Sequence, residues 1–122
     1  GIGELMGQYR KGYLFEKKTN SLVQEILSQY KELKFYSVES RGSKGTADIV
    51  FGLYNKKNKK RIWFGIQCKR GYISLPARKR DISFALREFG MTMFYSTPDK
   101  DKKSDIEFFP DFTRWLRTWV NT

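Results

Sequence analysis

Residues 47–69 read ADIVFGLYNKKNKKRIWFGIQCK, and two strands are legible in that stretch. Ala47 to Tyr54 is apolar and rich in residue types that suit a pleated, half-buried surface. Arg61 to Lys69 returns with Ile, Trp and Phe. Between them, Asn55-Lys56-Lys57-Asn58-Lys59-Lys60 is a short polar run of the kind that closes a hairpin. The two strands are therefore expected to pair antiparallel. That pairing carries Asp48 toward Gln67 and Lys69, at the end of the hairpin away from the lysine loop. Gln67 and Lys69 stand two apart, so strand alternation predicts a shared face.

Working outward, residues 10–30 predict a helix, with Phe15, Leu22, Ile26 and Tyr30 at helical spacing and Val23 and Leu27 widening the stripe. Phe35 to Glu39 predicts a short strand, followed by a turn-forming stretch from Ser40 to Gly45. Residues 70–77 read as a loop closed by Pro76. Arg78 to Phe89 reads as a second helix with Ile82, Ala85, Leu86 and Phe89 on its apolar face and Gly90 as its C-cap. Strands are expected at Met91 to Ser96 and Ile106 to Phe109. Pro110-Asp111 opens a last helix carrying Phe112, Trp115, Leu116 and Trp119.

The order α-β-β-β-α-β-β-α, with no long linker, predicts one α/β domain with a mixed central sheet. The helix at 78–89 is long enough to cross over between parallel strands. Residues 1–9 are set apart as an N-terminal extension, in part a cloning remnant ahead of the Met6-Gly7 pair, leaving 10–122 as the domain.

The 122 residues carry 24 Lys and Arg against 13 Asp and Glu, a net charge of +11. In a small domain that imbalance points to a polyanion, nucleic acid above all. No long helix pairs one basic with one apolar face, which argues against a membrane surface. No apolar run approaches the roughly 20 residues of a membrane span. The single cysteine, Cys68, cannot form an internal disulfide and fits a reducing, intracellular setting.

Four polar residues sit where packing alone would seldom put them. Asp48, Gln67 and Lys69 converge at one sheet end. Glu16 falls within the apolar stripe of the first helix, where a carboxylate needs a cationic partner. Mg²⁺ prefers hard oxygen ligands. Glu16, Asp48, the Gln67 amide oxygen and the Cys68 backbone carbonyl offer such a set. The ion would stabilise charge developing on a phosphodiester oxygen, and Lys69 would orient or help deprotonate the attacking water. Singly, an Asp at a strand start or a Q-x-K triplet is commonplace; it is the conjunction that carries weight.

Three stretches resemble the archaeal and viral Holliday junction resolvases of the PD-(D/E)XK nuclease superfamily. Arg10-Lys11-Gly12-Tyr13-Leu14-Phe15-Glu16 is similar to their R-K-G-x-x-x-E opening. Ser40-Arg41-Gly42-Ser43 through Asp48-Ile49-Val50 is similar to S-x-G-S…D-[IL]-V, and Ile66-Gln67-Cys68-Lys69 stands in the place of I-E-x-K. Spacing and order hold from Arg10 to about Phe89.

The resemblance implies a restriction-endonuclease-like mixed central β-sheet flanked by helices. It implies an endonuclease using Mg²⁺, for which Mn²⁺ can substitute, on branched DNA such as four-way junctions, and a homodimer in a prokaryotic or viral setting. By position, its catalytic set becomes Glu16, Asp48, Gln67 and Lys69, with Ser40 or Ser43 as the loop serine. The departure is Gln67, which replaces the family's acid and brings an oxygen without a charge.

Arg10, Lys11, Arg41, Lys44, Arg70, Arg78, Lys79 and Arg80 surround these positions and suit phosphate contacts. On the second helix, Arg80, Phe84 and Arg87 form a row opposite the apolar face. A phenylalanine there suggests an interface, with Phe84 and Arg87 at a dimer contact. Two other readings stay open. One is a restriction-like or repair nuclease of the same fold. The other is a non-catalytic DNA-binding protein whose site has decayed at Gln67.

Overall fold

The computed structural model describes residues 1–40, 46–102 and 105–122. The chain runs α1 (Ile2–Ser28), β1 (Leu33–Glu39), β2 (Ile49–Asn55), β3 (Arg61–Cys68), α2 (Leu75–Phe89), β4 (Thr92–Pro98), β5 (Ile106–Phe109) and α3 (Phe112–Asn121). The eight elements follow in the expected order. The strands form one mixed sheet in the order β1-β2-β3-β4-β5. β1, β2 and β3 are an antiparallel meander, β4 lies parallel to β3, and β5 returns antiparallel to β4. α2 is the crossover between the parallel pair, as its length predicts.

Alternation along the strands sorts side chains onto two faces. One face carries Ile49, Phe51, Leu53, Phe64, Ile66 and Phe94, which meet Val23 and Leu27 of α1 and Phe112 and Leu116 of α3 in the main core. Phe64 is its aromatic hub. Its ring stacks on Phe51 at 5.1 Å between centroids and meets Phe94, Phe112 and Trp115 within 6.1 Å. Trp115 and Trp119 both pack against this core. The opposite face is covered only at β4, where Met93 and Tyr95 pack on Ala85 of α2 with Ile73, Ile82 and Met91. Gly65 sits under that corner, and a Cβ there would lie 2.8 Å from the Ala47 Cβ and 2.9 Å from the Met91 sulfur. Among the described residues, no helix lies over the outer face of β1, β2 and most of β3.

Three local readings are corrected. α1 begins at Ile2, not at Arg10, so the helix already runs through residues 2–9. Gly3, Gly7 and Gly12 hide the helix from a propensity argument, each being about 1 kcal/mol worse than alanine. α2 begins at Leu75 inside the stretch read as loop. Ser74 caps it by accepting from the Ala77 N–H at 3.3 Å, and Pro76 occupies the first turn, where its missing N–H costs nothing. Finally, Leu86 and Phe89 do not face the core. Only Ala85 of α2 is fully buried, because the helix rests on β4 alone. Gly90 ends α2 in the left-handed conformation, as a C-cap glycine should. Among the described residues, no helix is long and apolar enough to cross a membrane.

Candidate active site

The open end of the β2–β3 hairpin is closed by Asp48. Its N–H donates to the Ile66 carbonyl at 2.9 Å, and its carbonyl accepts from the Ser40 N–H at 2.8 Å. Its carboxylate Oδ2 accepts from the Cys68 N–H at 2.8 Å. The carboxylate is thus aimed by the backbone of two neighbouring strands. Burial pushes its carboxyl above the ordinary value; the Cys68 hydrogen bond and the Lys69 charge pull it back in part.

Glu16 reaches this sheet end from α1. It is half-buried. Its carboxyl is also raised, first by burial and then by the charges of Asp48 and Glu39, with Lys17 opposing. Glu16 lines a cleft of about 490 Å³ with Lys11, Cys68, Lys69 and Arg70. The structure therefore groups Glu16, Asp48 and Lys69, and sets basic residues at their rim.

Gln67 opens elsewhere. It lines a separate hollow of about 270 Å³ with Thr46, Asp81, Phe84 and Tyr95. Its Oε1 is buried without a hydrogen-bond partner. The predicted shared face of Gln67 and Lys69 is corrected here. β3 ends at Cys68, so Lys69 lies beyond the strand, where alternation no longer sets direction. Asp48 stands within electrostatic reach of both hollows, since its charge raises Glu16 on one side and the Tyr95 hydroxyl on the other.

The Cys68 thiol is pushed up to about 12, chiefly by burial, with Ser96 and Thr19 as partners that oppose the shift. Burial thus disfavours its thiolate form. Among the described residues, no three His, Cys, Asp or Glu side chains are grouped to hold a metal. A divalent ion would instead draw on two carboxylates, Glu16 and Asp48, and on neutral oxygens, the Cys68 carbonyl and Gln67 Oε1. These residues fit a hard cation. Both acids are raised by burial, and Gln67 Oε1, in the separate hollow, has no donor.

Of the other sequence candidates, Ser40 is exposed at the end of β1, and Ser43, Arg41 and Lys44 lie outside the described residues. Arg10, Lys11, Arg70, Lys79 and Arg80 are exposed. Arg78 is half-buried: its guanidinium lies over the Phe109 ring at 4.9 Å, its Nε is buried without a partner, and it lines an open hollow with Arg70 and Lys100. Phe84 is 42% exposed and forms part of the wall of the Gln67 hollow. Arg87 reaches back over the Phe84 ring at 6.0 Å.

Sequence reasoning missed three polar residues. Glu39, at the end of β1, is held by Lys17 Nζ at 2.8 Å and Asn20 Nδ2 at 2.7 Å. Asp81 accepts from the Tyr95 hydroxyl beside Gln67. The only signal for any of them is a polar residue at an apolar register position. No protein-family model matches the chain, and no curated protein matches it at a significant level.

The raised Glu16 carboxyl has a consequence for stability. The folded state binds that proton more tightly than the unfolded chain. Ionised Glu16 therefore costs stability above its folded value and nothing below the ordinary 4.5. Glu16→Gln is expected to raise the thermal midpoint at pH 7 by a few degrees, with the gain shrinking as pH falls to 4. Mg²⁺ should narrow the gap at pH 7 by stabilising wild type more than the variant. Thermal melts at the two pH values check this; an unchanged or lowered midpoint at pH 7 contradicts the placement of Glu16.

Proposed function

We propose that this chain is a metal-dependent endonuclease that hydrolyses phosphodiester bonds in branched DNA, on a restriction-endonuclease-like sheet of the PD-(D/E)XK kind. The observation that carries the reading is the meeting of two burial-raised carboxylates, Glu16 and Asp48, with Lys69 at one sheet end. Lys11 and Arg70 line the same cleft as Glu16 and Lys69. A net charge of +11 supports a polyanionic substrate.

Bound Mg²⁺, or Mn²⁺ in its place, would supply Lewis-acid stabilisation of charge on the phosphodiester oxygens. Glu16 and Asp48 would hold it, with the Cys68 carbonyl and Gln67 Oε1 as neutral donors. Lys69 orients the attacking water and offsets the negative charge that builds as its oxygen bonds to phosphorus and the phosphorus–sugar oxygen bond breaks. Lys11 and Arg70 hold flanking phosphates, and Ser40 or Ser43 completes the loop side.

A second reading has its own observation. Gln67 is uncharged and opens onto a different hollow from Glu16. That is what a DNA-binding protein with a decayed site would show. Cleavage assays with Mg²⁺ on four-way junctions, linear duplex and single strands separate the two. The nuclease reading expects Asp48→Asn and Lys69→Ala each to slow cutting about 100-fold or more while junction binding persists. It also expects Gln67→Glu to lower the Mg²⁺ needed for half-maximal cutting. If wild type cuts no DNA and Gln67→Glu restores cutting, the decayed site is the correct account.

We further propose that the chain acts as a homodimer through α2. Phe84 and Phe89 are 42% and 63% exposed and their rings meet at 5.8 Å between centroids, an exposed aromatic pair on one helix. Phe84→Glu is expected to shift the mass toward monomer in light scattering, and to reduce paired incision of a junction more than DNA binding. A wild-type chain that stays monomeric at micromolar concentration, with and without a junction, removes this part of the proposal.

A further inference from the structure

The outer face of β1, β2 and β3, which no helix covers, has an unusual composition. Two cross-strand rows run over it. Lys34 pairs with Tyr54, and Tyr54 with Arg61; one step along, Tyr36 pairs with Gly52, and Gly52 with Trp63. Tyr36 is 65% exposed and Trp63 55%. Gly52, between them, has a specific reason to be glycine. The six-membered ring of Trp63 lies over it, and a Cβ there would come within 2.8 Å of the ring. The indole therefore lies down against the sheet and turns a flat aromatic surface outward. In the neighbouring row, the Arg61 guanidinium covers the Tyr54 ring at 4.5 Å. Together these residues line a shallow cleft of about 450 Å³.

Cations frame this surface, and neither row contains a carboxylate. Lys34 and Arg61 occupy the ends of their row, and that row adjoins the lysine-rich β2–β3 loop. The loop has a defined shape. Asn55 Oδ1 accepts from the Lys57 N–H at 2.9 Å, Asn58 Oδ1 accepts from the Lys60 N–H at 3.0 Å, and Lys59 takes a left-handed φ of 66°. Flat rings flanked by fixed positive charge complement a chain of planar bases joined by phosphates. A duplex offers its bases only as edges in grooves, whereas a single strand can lay them on exposed rings. A protein partner fits less well, because lysine is depleted from the centres of protein interfaces. The exposed pair of Phe84 and Phe89 on α2 has the composition such an interface needs.

We infer that the open face of β1–β3 is a second nucleic-acid site. It takes an unpaired single-stranded segment, stacking bases on Tyr36 and Trp63 and holding phosphates with Lys34, Arg61 and the Lys56–Lys60 loop. The inference does not depend on the nuclease reading. The lysine end of the hairpin is opposite the end that Asp48 closes, about 20 Å away along the strands. Both DNA and RNA single strands present this chemistry.

The test is fluorescence anisotropy of the whole chain with labelled dT12, U12 and a 12-base-pair duplex, in EDTA so that nothing is cut. Circular dichroism verifies the fold of each variant. Tyr36→Ala and Trp63→Ala are each expected to weaken single-strand binding about 10-fold or more while changing duplex binding little. Trp63→Phe should keep most of the affinity. Binding of dT12, U12 or both, lost in the two alanine variants, supports the site, and the better of the two names its sugar. Absent single-strand binding, binding that the alanine variants leave intact, or equal losses on duplex overturns it. So does light scattering in which Trp63→Ala splits a wild-type dimer, since the face would then belong to a second copy of the chain.

Discussion

The carboxylate of Asp48, accepting the Cys68 N–H at 2.8 Å, is the contact on which this structure turns. It closes the open end of the β2–β3 hairpin just where the backbone ladder runs out. It does so with a group that would be better solvated in water. A buried carboxylate is tolerated when its charge is answered. Here the Cys68 N–H and Lys69 answer it only in part, because the carboxyl remains raised. Glu16 brings a second raised carboxyl to the same place from another element. Two raised carboxyls at one sheet end are the arrangement that the proposed cation site calls for.

The sheet then divides the surface by chemistry. Its inner face is spent on the aromatic core around Phe64, which α1 and α3 cover. Its outer face is covered at β4 alone, so two unlike surfaces remain on that side. α2 offers the exposed rings of Phe84, which lines the Gln67 hollow, and Phe89 beside it. The meander offers Tyr36 and Trp63 between Lys34 and Arg61, rings and cations together. The first suits a second copy of the chain; the second suits bases and phosphates. Both surfaces exist because one crossover helix, about 10 Å across, covers only about two strands of a five-stranded sheet.

Much of this architecture was legible in the residues. Alternating apolar positions in 47–54 and 61–69 specified the hairpin, and the spacing of β3, α2 and β4 specified a crossover. What escaped has physical causes. Glycines at 3, 7 and 12 masked the first turns of α1, and Pro76 disguised a capped helix start as a loop. The apolar residues of α2 looked like a core face because periodicity reports amphipathicity and not what the helix rests on; Leu86 and Phe89 proved exposed. At the site, hairpin pairing carried Asp48 to the end of β3, but Gln67 and Lys69, expected on one face, line different hollows. Asp81 and Tyr95 meet only through the packing of α2 on β4, which no local pattern encodes.

The central claim is that a divalent ion sits where Glu16 and Asp48 converge. It is tested most directly by titrating Mn²⁺ into the ¹⁵N-labelled chain and following paramagnetic broadening of backbone amides. The account predicts that the amides of Glu16, Asp48, Cys68 and Lys69 broaden first. Those of Lys57 to Lys60, at the far end of the hairpin, should remain sharp, and Asp48→Asn should abolish the selectivity. Broadening that begins instead at Asp99, Asp101 and Asp105, or that spreads evenly over the exposed acids, would contradict it.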